Sequence, residues 1–216
     1  QRKKMVVPGR TRLSGFYGRY QGPNAELKFK DTSITITPVL AASNIVDSLN
    51  LIAQGTTEQE RIGRKCVIKH INLKIELNFI NVKNNANIPT PDKVRIILYL
   101  DKQANGATAI AADLLETVGV RSFRNLANSG RFVFLYDKVH VMNPPNLAAA
   151  SSTQFSTCGP TRFIQIYKKC NIPVEFSSTT GAITEIRSNN IGFYAQADVD
   201  SSCNLTGTCR IRFSDG

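Results

Sequence analysis

Apolar and polar residues alternate with a period of two along most of this chain, and that period predicts strands. Leu27 and Phe29, then Ile34 and Ile36, mark a first strand that ends at Pro38. The clearest run is Val67–Phe79. There Val67, Ile71, Leu73, Ile75, Leu77 and Phe79 alternate with Ile68, His70, Asn72, Lys74, Glu76 and Asn78, and Lys69 breaks the inner register once. Such a pattern describes a sheet with one buried face and one wet face. Further strands are predicted at Val94–Asp101, Arg131–Met142, Arg162–Lys169, Ile172–Phe176, Ile191–Val199 and Cys209–Phe213. Two short helices are predicted, one near Asn44–Ala53 and one at Thr108–Glu116.

Strands without regular intervening helices exclude a parallel sheet, which needs long crossovers. An antiparallel sandwich, barrel or jelly roll remains. The connections are long and unequal, as in Asn84–Pro91, Asn143–Pro160 and Ser177–Asn190, and are rich in Asn, Ser, Thr, Gly and Pro. They favour a single eight-stranded antiparallel jelly roll of two packed sheets, an all-β fold. No internal repeat points to a propeller or solenoid. The period of two is absent from the N-terminal stretch. Residues 1–25 therefore read as an arm, and residues 26–216 as the jelly-roll domain.

Charge sharpens this division. The chain carries 27 Lys+Arg against 16 Asp+Glu, a formal net charge of +11. That bias calls for a polyanionic partner. Gln1 to Gly22 contains Arg2, Lys3, Lys4, Arg10, Arg12 and Arg19 and no acidic residue, with Gly9, Gly15, Gly18 and Gly22 interspersed. Too few apolar groups are present there to offset the entropy of ordering, so the arm is expected to be flexible. Phe16, Tyr17 and Tyr20 suit stacking on unpaired bases, or anchoring of the arm beneath the domain. Arg2-Lys3-Lys4 also suits a nuclear import signal. Arg61, Arg64 and Lys65 form a second basic group, for nucleic acid or for ion pairs with Glu58, Glu60 or a neighbouring copy. Lys168 and Lys169 suit a solvated strand edge.

Catalytic chemistry finds little footing. The two histidines, His70 and His140, lie in alternating strands and read as structural. No Gly-x-Ser-x-Gly, P-loop or dinucleotide motif occurs. Asp198 and Asp200 share a strand face and, with Asp101 or Asp113, offer a Ca²⁺ site or simply a solvated strand end. Cys66, Cys158, Cys170, Cys203 and Cys209 show no zinc-ligand spacing and read as reduced thiols, although Cys203 and Cys209 suit a hairpin bridge if oxidised. No metal, cofactor or enzymatic activity is expected. No apolar run approaches the ~18 residues of a membrane span, so membrane insertion is not expected either.

Three segments carry a resemblance. They are Leu51-Ile52-Ala53-Gln54-Gly55-Thr56-Thr57-Glu58-Gln59-Glu60-Arg61-Ile62-Gly63-Arg64-Lys65, then Val94-Arg95-Ile96-Ile97-Leu98-Tyr99-Leu100-Asp101-Lys102-Gln103-Ala104-Asn105-Gly106, then Arg131-Phe132-Val133-Phe134-Leu135-Tyr136-Asp137-Lys138-Val139. In order and spacing they resemble capsid (coat) proteins of circular Rep-encoding single-stranded DNA viruses, and they are similar also to the satellite tobacco necrosis virus coat protein. The likeness spans Glu26 to Met142 and weakens beyond Asn143.

The resemblance implies a jelly roll that self-assembles into a sixty-subunit, T=1-like icosahedral shell. It implies packaging of a single-stranded genome, DNA rather than RNA, without catalysis. The virion, with the host nucleus during assembly, would be its location, and Asn143–Pro160 and Ser177–Asn190 would be candidates for host recognition. The alternatives are a cellular non-specific single-stranded nucleic-acid-binding β protein and a jelly-roll hydrolase. Sixty copies at +11 neutralise about 660 phosphates. A chain that opens on Gln1 fits either a processed terminus or a longer upstream arm, and this count gives a reason to expect the upstream residues.

The arm makes a numerical prediction. Its six cations should give a log–log salt slope of about −4 for single strands, a loss of roughly 300-fold between about 50 and 200 mM salt. Removing residues 1–22 should flatten that slope in a fluorescence anisotropy titration.

Overall fold

A computed structural model of the chain describes residues 27–41, 44–46, 48–79, 91–143, 161–199 and 203–215. The arm, most of Asn84–Pro91 and Asn143–Pro160, Cys158 and Asp200 lie outside the described residues. Among the described residues nine strands form: β1 (Lys28–Ile36), β2 (Asn44–Val46), β3 (Lys65–Phe79), β4 (Asp92–Asp101), β5 (Phe132–Met142), β6 (Thr161–Phe176), β7 (Ile186–Ser188), β8 (Asn190–Ala197) and β9 (Cys203–Asp215).

They form two antiparallel sheets, in the order β1-β9-β3-β6-β7 and β2-β8-β4-β5. The chain crosses between the sheets at every step except β4 to β5 and β6 to β7, and so winds as a jelly roll of eight strands, with β7 added at one edge. The inner faces meet in one core that includes Ile71, Leu73, Ile75 and Leu77 of β3, Ile96 and Leu98 of β4, Phe193 of β8 and Ile211 and Phe213 of β9. Burial of these side chains, at ~25 cal/mol per Å² of apolar surface, is the main driving force.

The long strand differs from its sequence reading in phase. Beyond Lys69 the buried positions are Ile71, Leu73, Ile75, Leu77 and Phe79, as predicted. Before it, Cys66 and Ile68 are buried and Val67 is half-exposed, the reverse of the expected order. The register shifts between Ile68 and His70 against both β6 and β9. Lys69 thus sits in a β-bulge, where one extra residue exchanges the two faces of the strand. The two expected strands Arg162–Lys169 and Ile172–Phe176 are one strand, β6, irregular at Cys170–Asn171 opposite this bulge. Lys69 Nζ donates to Asn171 Oδ1 at 2.6 Å across the irregularity.

Four further expectations are corrected. The helix expected near Asn44–Ala53 is absent, because Asn44–Val46 pairs with Phe193–Ala195 of β8 as an edge strand. Of the other helix only one turn forms, α1 (Ala111–Leu114). Cys203 and Cys209 belong to one strand, β9, six residues apart, hence ~20 Å apart along it. A disulfide needs Cα atoms within about 7 Å, so these two thiols cannot bridge. The Ser177–Asn190 connection, expected as an open loop, holds a 3-10 turn at Ile183–Glu185 and strand β7.

The sheets differ in what covers their outer faces. The β4–β5 connection folds back over the four-stranded sheet. Its Ala109, Ala111, Leu114 and Leu115 pack on Ile97 and Tyr99 of β4, Phe132 of β5 and Tyr194 of β8. Gly192 of β8 makes room for the Tyr99 ring, which a Cβ there would meet at 2.2 Å. Ion pairs pin the cover. Arg95 and Arg124 both bond the Asp137 carboxylate, at 2.8 and 2.9 Å, and Arg131 bonds Asp101 at 2.7 Å. Burial pushes the Asp137 carboxyl up, but the hydrogen bonds from Arg95 and Arg124 outweigh it and hold the group below the usual carboxylate range.

His140 on β5 is buried, with Nε2 2.9 Å from the Tyr136 hydroxyl. Burial, with Arg162 and Lys138 nearby, pushes its pKa down to about 4. The native protein therefore binds fewer protons than the unfolded chain between about pH 4 and 6.5, and stability must fall as pH falls through that window. The loss should reach up to roughly 3 kcal/mol. Urea unfolding across this range should show the slope in the wild type and a flatter profile in His140→Gln. The lowered carboxylates Asp31, Asp137 and Glu185 act at lower pH, below the usual carboxylate range.

Candidate nucleic-acid interface

Alternation that buries one face of the five-stranded sheet sends every other side chain of β1, β9, β3 and β6 to its outer face. The strand registers make rows across that face. One row is Phe29, Arg212, His70 and Lys169, and the next is Asp31, Arg210, Asn72 and Tyr167. Then come Ser33, Thr208, Lys74 and Gln165, followed by Thr35, Thr206, Glu76 and Phe163. Cations outnumber carboxylates on these rows, with Arg212, Lys169, Arg210 and Lys74 against Asp31 and Glu76. No described segment covers the face as the β4–β5 connection covers its counterpart.

The carboxylates are already engaged. Arg210 grips Asp31 in a two-pronged pair, Nε–Oδ1 at 2.7 Å and Nη2–Oδ2 at 2.6 Å. The Arg210 hydrogen bonds hold the Asp31 carboxyl below the usual range. The same guanidinium lies 4.8 Å from the Phe29 ring centroid. Glu76 accepts from Asn78 Nδ2 at 3.1 Å. Arg212 and Lys74 are exposed and form no ion pair among the described residues, so their charge is available to a polyanion.

Aromatic groups stand between the cations. Tyr167 is 57% exposed and Phe163 is 78% exposed, both on β6. Water-exposed rings of this size are unusual on a closed surface, and they offer π-faces to unpaired bases. His70 stacks against Tyr167 with centroids 5.7 Å apart, and Tyr167 Oη lies 2.7 Å from His70 Nδ1. The sequence reading placed neither ring in a site and assigned His70 a structural part. The outward alternation of Arg210 and Arg212 was visible in the sequence, but their alignment with His70 and Tyr167 depends on register.

The predicted second basic group divides. Arg61 is fully buried. Its Nε donates to the Ile52 carbonyl at 3.0 Å, and its two terminal nitrogens donate to the carbonyls of Gly63 and Ser178. Its guanidinium lies 4.2 Å from the Phe176 ring centroid. These bonds turn it inward, away from any phosphate, to tie the β2–β3 connection to itself and to the β6–β7 connection. It pairs with neither Glu58 nor Glu60. Arg64 and Lys65 are exposed, with Lys65 3.6 Å from Glu175. Asp101 is engaged by Arg131, and no group of three or more His, Cys, Asp or Glu that could hold a metal exists among the described residues. No helix among them is long and apolar enough to cross a membrane.

No family model matches the chain, and no curated protein matches it. Among solved structures, one of Desmodium yellow mottle tymovirus is 12% identical with a TM-score of 0.36, covering 100% of this chain and 96% of that one. One of the empty head of turnip yellow mosaic virus is 9% identical with a TM-score of 0.34, covering 100% of this chain and 89% of that one. Likeness this loose bears on neither family nor function.

The inward turn of Arg61 separates two kinds of basic residue. Arg61→Met leaves buried carbonyls without donors, at about 1–3 kcal/mol each, and should lower the urea midpoint sharply. Arg64→Ala and Lys65→Ala remove exposed charges and should change stability by less than about 1 kcal/mol.

Proposed function

We propose that this chain is a viral coat protein, a non-catalytic subunit that self-assembles into a small closed shell and packages a nucleic acid. The observation that carries the reading is the pairing of a jelly roll with one uncovered sheet face lined by Arg210, Arg212, Lys74 and Lys169. The basic arm and the resemblance of Leu51–Lys65, Val94–Gly106 and Arg131–Val139 to coat proteins point the same way. In this reading the shell is T=1-like with sixty subunits. The genome is single-stranded, DNA rather than RNA, and the protein resides in the virion after assembly in the host nucleus.

Packaging on this reading is sequence-blind. Lys and Arg release condensed counterions from phosphates whatever the bases are, and a coat must accept every sequence in its genome. The arm residues Arg2, Lys3, Lys4, Arg10, Arg12 and Arg19 supply a cationic layer, with Arg64 and Lys65 adding to it. Many weakly binding arms in one shell act together through effective concentration. No cofactor or metal has a part in this scheme. The receptor is left to the loops.

Negative-stain microscopy of the purified protein should show uniform particles of roughly 150–250 Å, given compact domains a few tens of ångströms across. The particles should carry nuclease-protected absorbance at 260 nm that is lost when residues 1–22 are removed. A monomer at every concentration and salt, with or without nucleic acid, would instead support a cellular single-strand-binding protein.

A further inference from the structure

Two depressions mark the uncovered sheet face. The first is a groove of about 620 Å³ whose lining includes Phe29, His70, Asn72, Tyr167, Arg210 and Arg212. The second, of about 780 Å³, is lined by Lys74, Phe163, Gln165 and Gly207 among others. Each has one exposed β6 ring at its side. Tyr167 and Phe163 are four residues apart on that strand, ~13 Å. Both depressions thus follow one strand direction, each with an aromatic face beside a cation.

We propose that the first groove seats a single unpaired nucleobase, stacked on Tyr167 and His70, with the adjoining phosphate on Arg212. The inference deepens the coat-protein reading and rests on it for the polynucleotide. Three observations carry it. The hydrogen bond between Tyr167 Oη and His70 Nδ1 holds the two rings nearly parallel, at 22°, as a rigid platform. Arg212 projects beside them without an ion pair among the described residues, whereas Arg210 is held by Asp31. Asn72 also lines the groove and keeps a buried carboxamide oxygen without a hydrogen-bond partner, and a turn of this side chain presents a carboxamide, which pairs well with a base edge.

The remaining wall explains why a base, and not a phosphate, enters. Glu58 lines the groove, and Lys28 is taken up by Asp215 at 3.1 Å. Arg210 is likewise taken up by Asp31, so the lining sets Arg212 against Glu58 and is near neutral, while Lys169 stands beside His70 in the same row. A base in a duplex is stacked and paired and cannot enter such a groove without flipping out. The groove therefore selects single strands.

The test uses the full chain, freed of bound nucleic acid, and a roughly 12-nucleotide oligothymidylate carrying 5-iodouracil. Irradiation should link the base to Tyr167 or His70, read by mass spectrometry of the peptides. In anisotropy titrations at about 0.3 M salt, where phosphate contacts are weakened, Tyr167→Ala should lower single-strand affinity roughly 5- to 150-fold. Tyr167→Phe, which keeps the ring, should retain most of it. Arg212→Ala should reduce the salt slope by about one, and duplex binding should be indifferent to Tyr167→Ala. Adducts confined to residues 1–25, with Tyr167→Ala binding as the wild type, overturn the groove proposal while leaving the coat reading intact. Adducts at Tyr167 on a protein that never forms particles support the groove and remove the coat reading.

Discussion

A strand has two faces, and a slip of one residue exchanges them. In this protein that slip occurs at Lys69, midway through the register that joins β3 to both its neighbours. C-terminal to the slip, Ile71, Leu73, Ile75 and Leu77 enter the core, so His70, Asn72 and Lys74 must face out. N-terminal to it, Cys66 and Ile68 enter the core. Without the bulge, an uninterrupted period of two would bury either the Cys66 end or the Leu77 end and expose the other. The bulge lets one strand of fifteen residues serve the core along its whole length. It also aligns His70 with Arg212 and Asn72 with Arg210.

The two sheets then part ways. β4 is buried on nearly every position because the β4–β5 connection lies across its outer face. That cover needs anchoring, since one helical turn has little stability of its own. Asp137, shared by Arg95 and Arg124, and the Asp101–Arg131 pair supply it. Charges this buried stabilise only when fully paired, and these are bonded on more than one side. Among the described residues the five-stranded sheet has no such cover, and it shows its polar, cationic side. The asymmetry between the sheets, more than the fold itself, singles out one surface for binding.

Much of the fold was legible in the alternation. The spans of β1, β3, β4, β5 and β8 fall close to where apolar residues repeat every second position, and the break at Lys69 was visible as a fault in the pattern. What the fault did to the faces was not, because a bulge is defined by its partner strands. β2 escaped notice because three residues show no period, and Asn44–Ala53 reads as well for a helix. Arg61 misled because charge counted along the chain carries no sign of burial, and one of its carbonyl partners, Ser178, is 117 residues away. The cationic face depends on pairings such as Asp31 with Arg210, 179 residues apart, which no local pattern reveals.

Cys66, Cys203 and Cys209 are fully buried and unbridged, and burial pushes the Cys66 and Cys209 thiols up to about 12. Held as neutral thiols, Cys66 and Cys209 act as small apolar fillers and not as nucleophiles, while the Cys203 thiol donates to Asp92 Oδ2 at 3.8 Å. No covalent clasp among the described residues holds the two sheets together. Their cohesion comes from apolar packing with a few hydrogen bonds, such as Arg162 Nη1 to the Val141 carbonyl at 3.3 Å, and an oxidant must first open the sandwich before it finds these sulfurs.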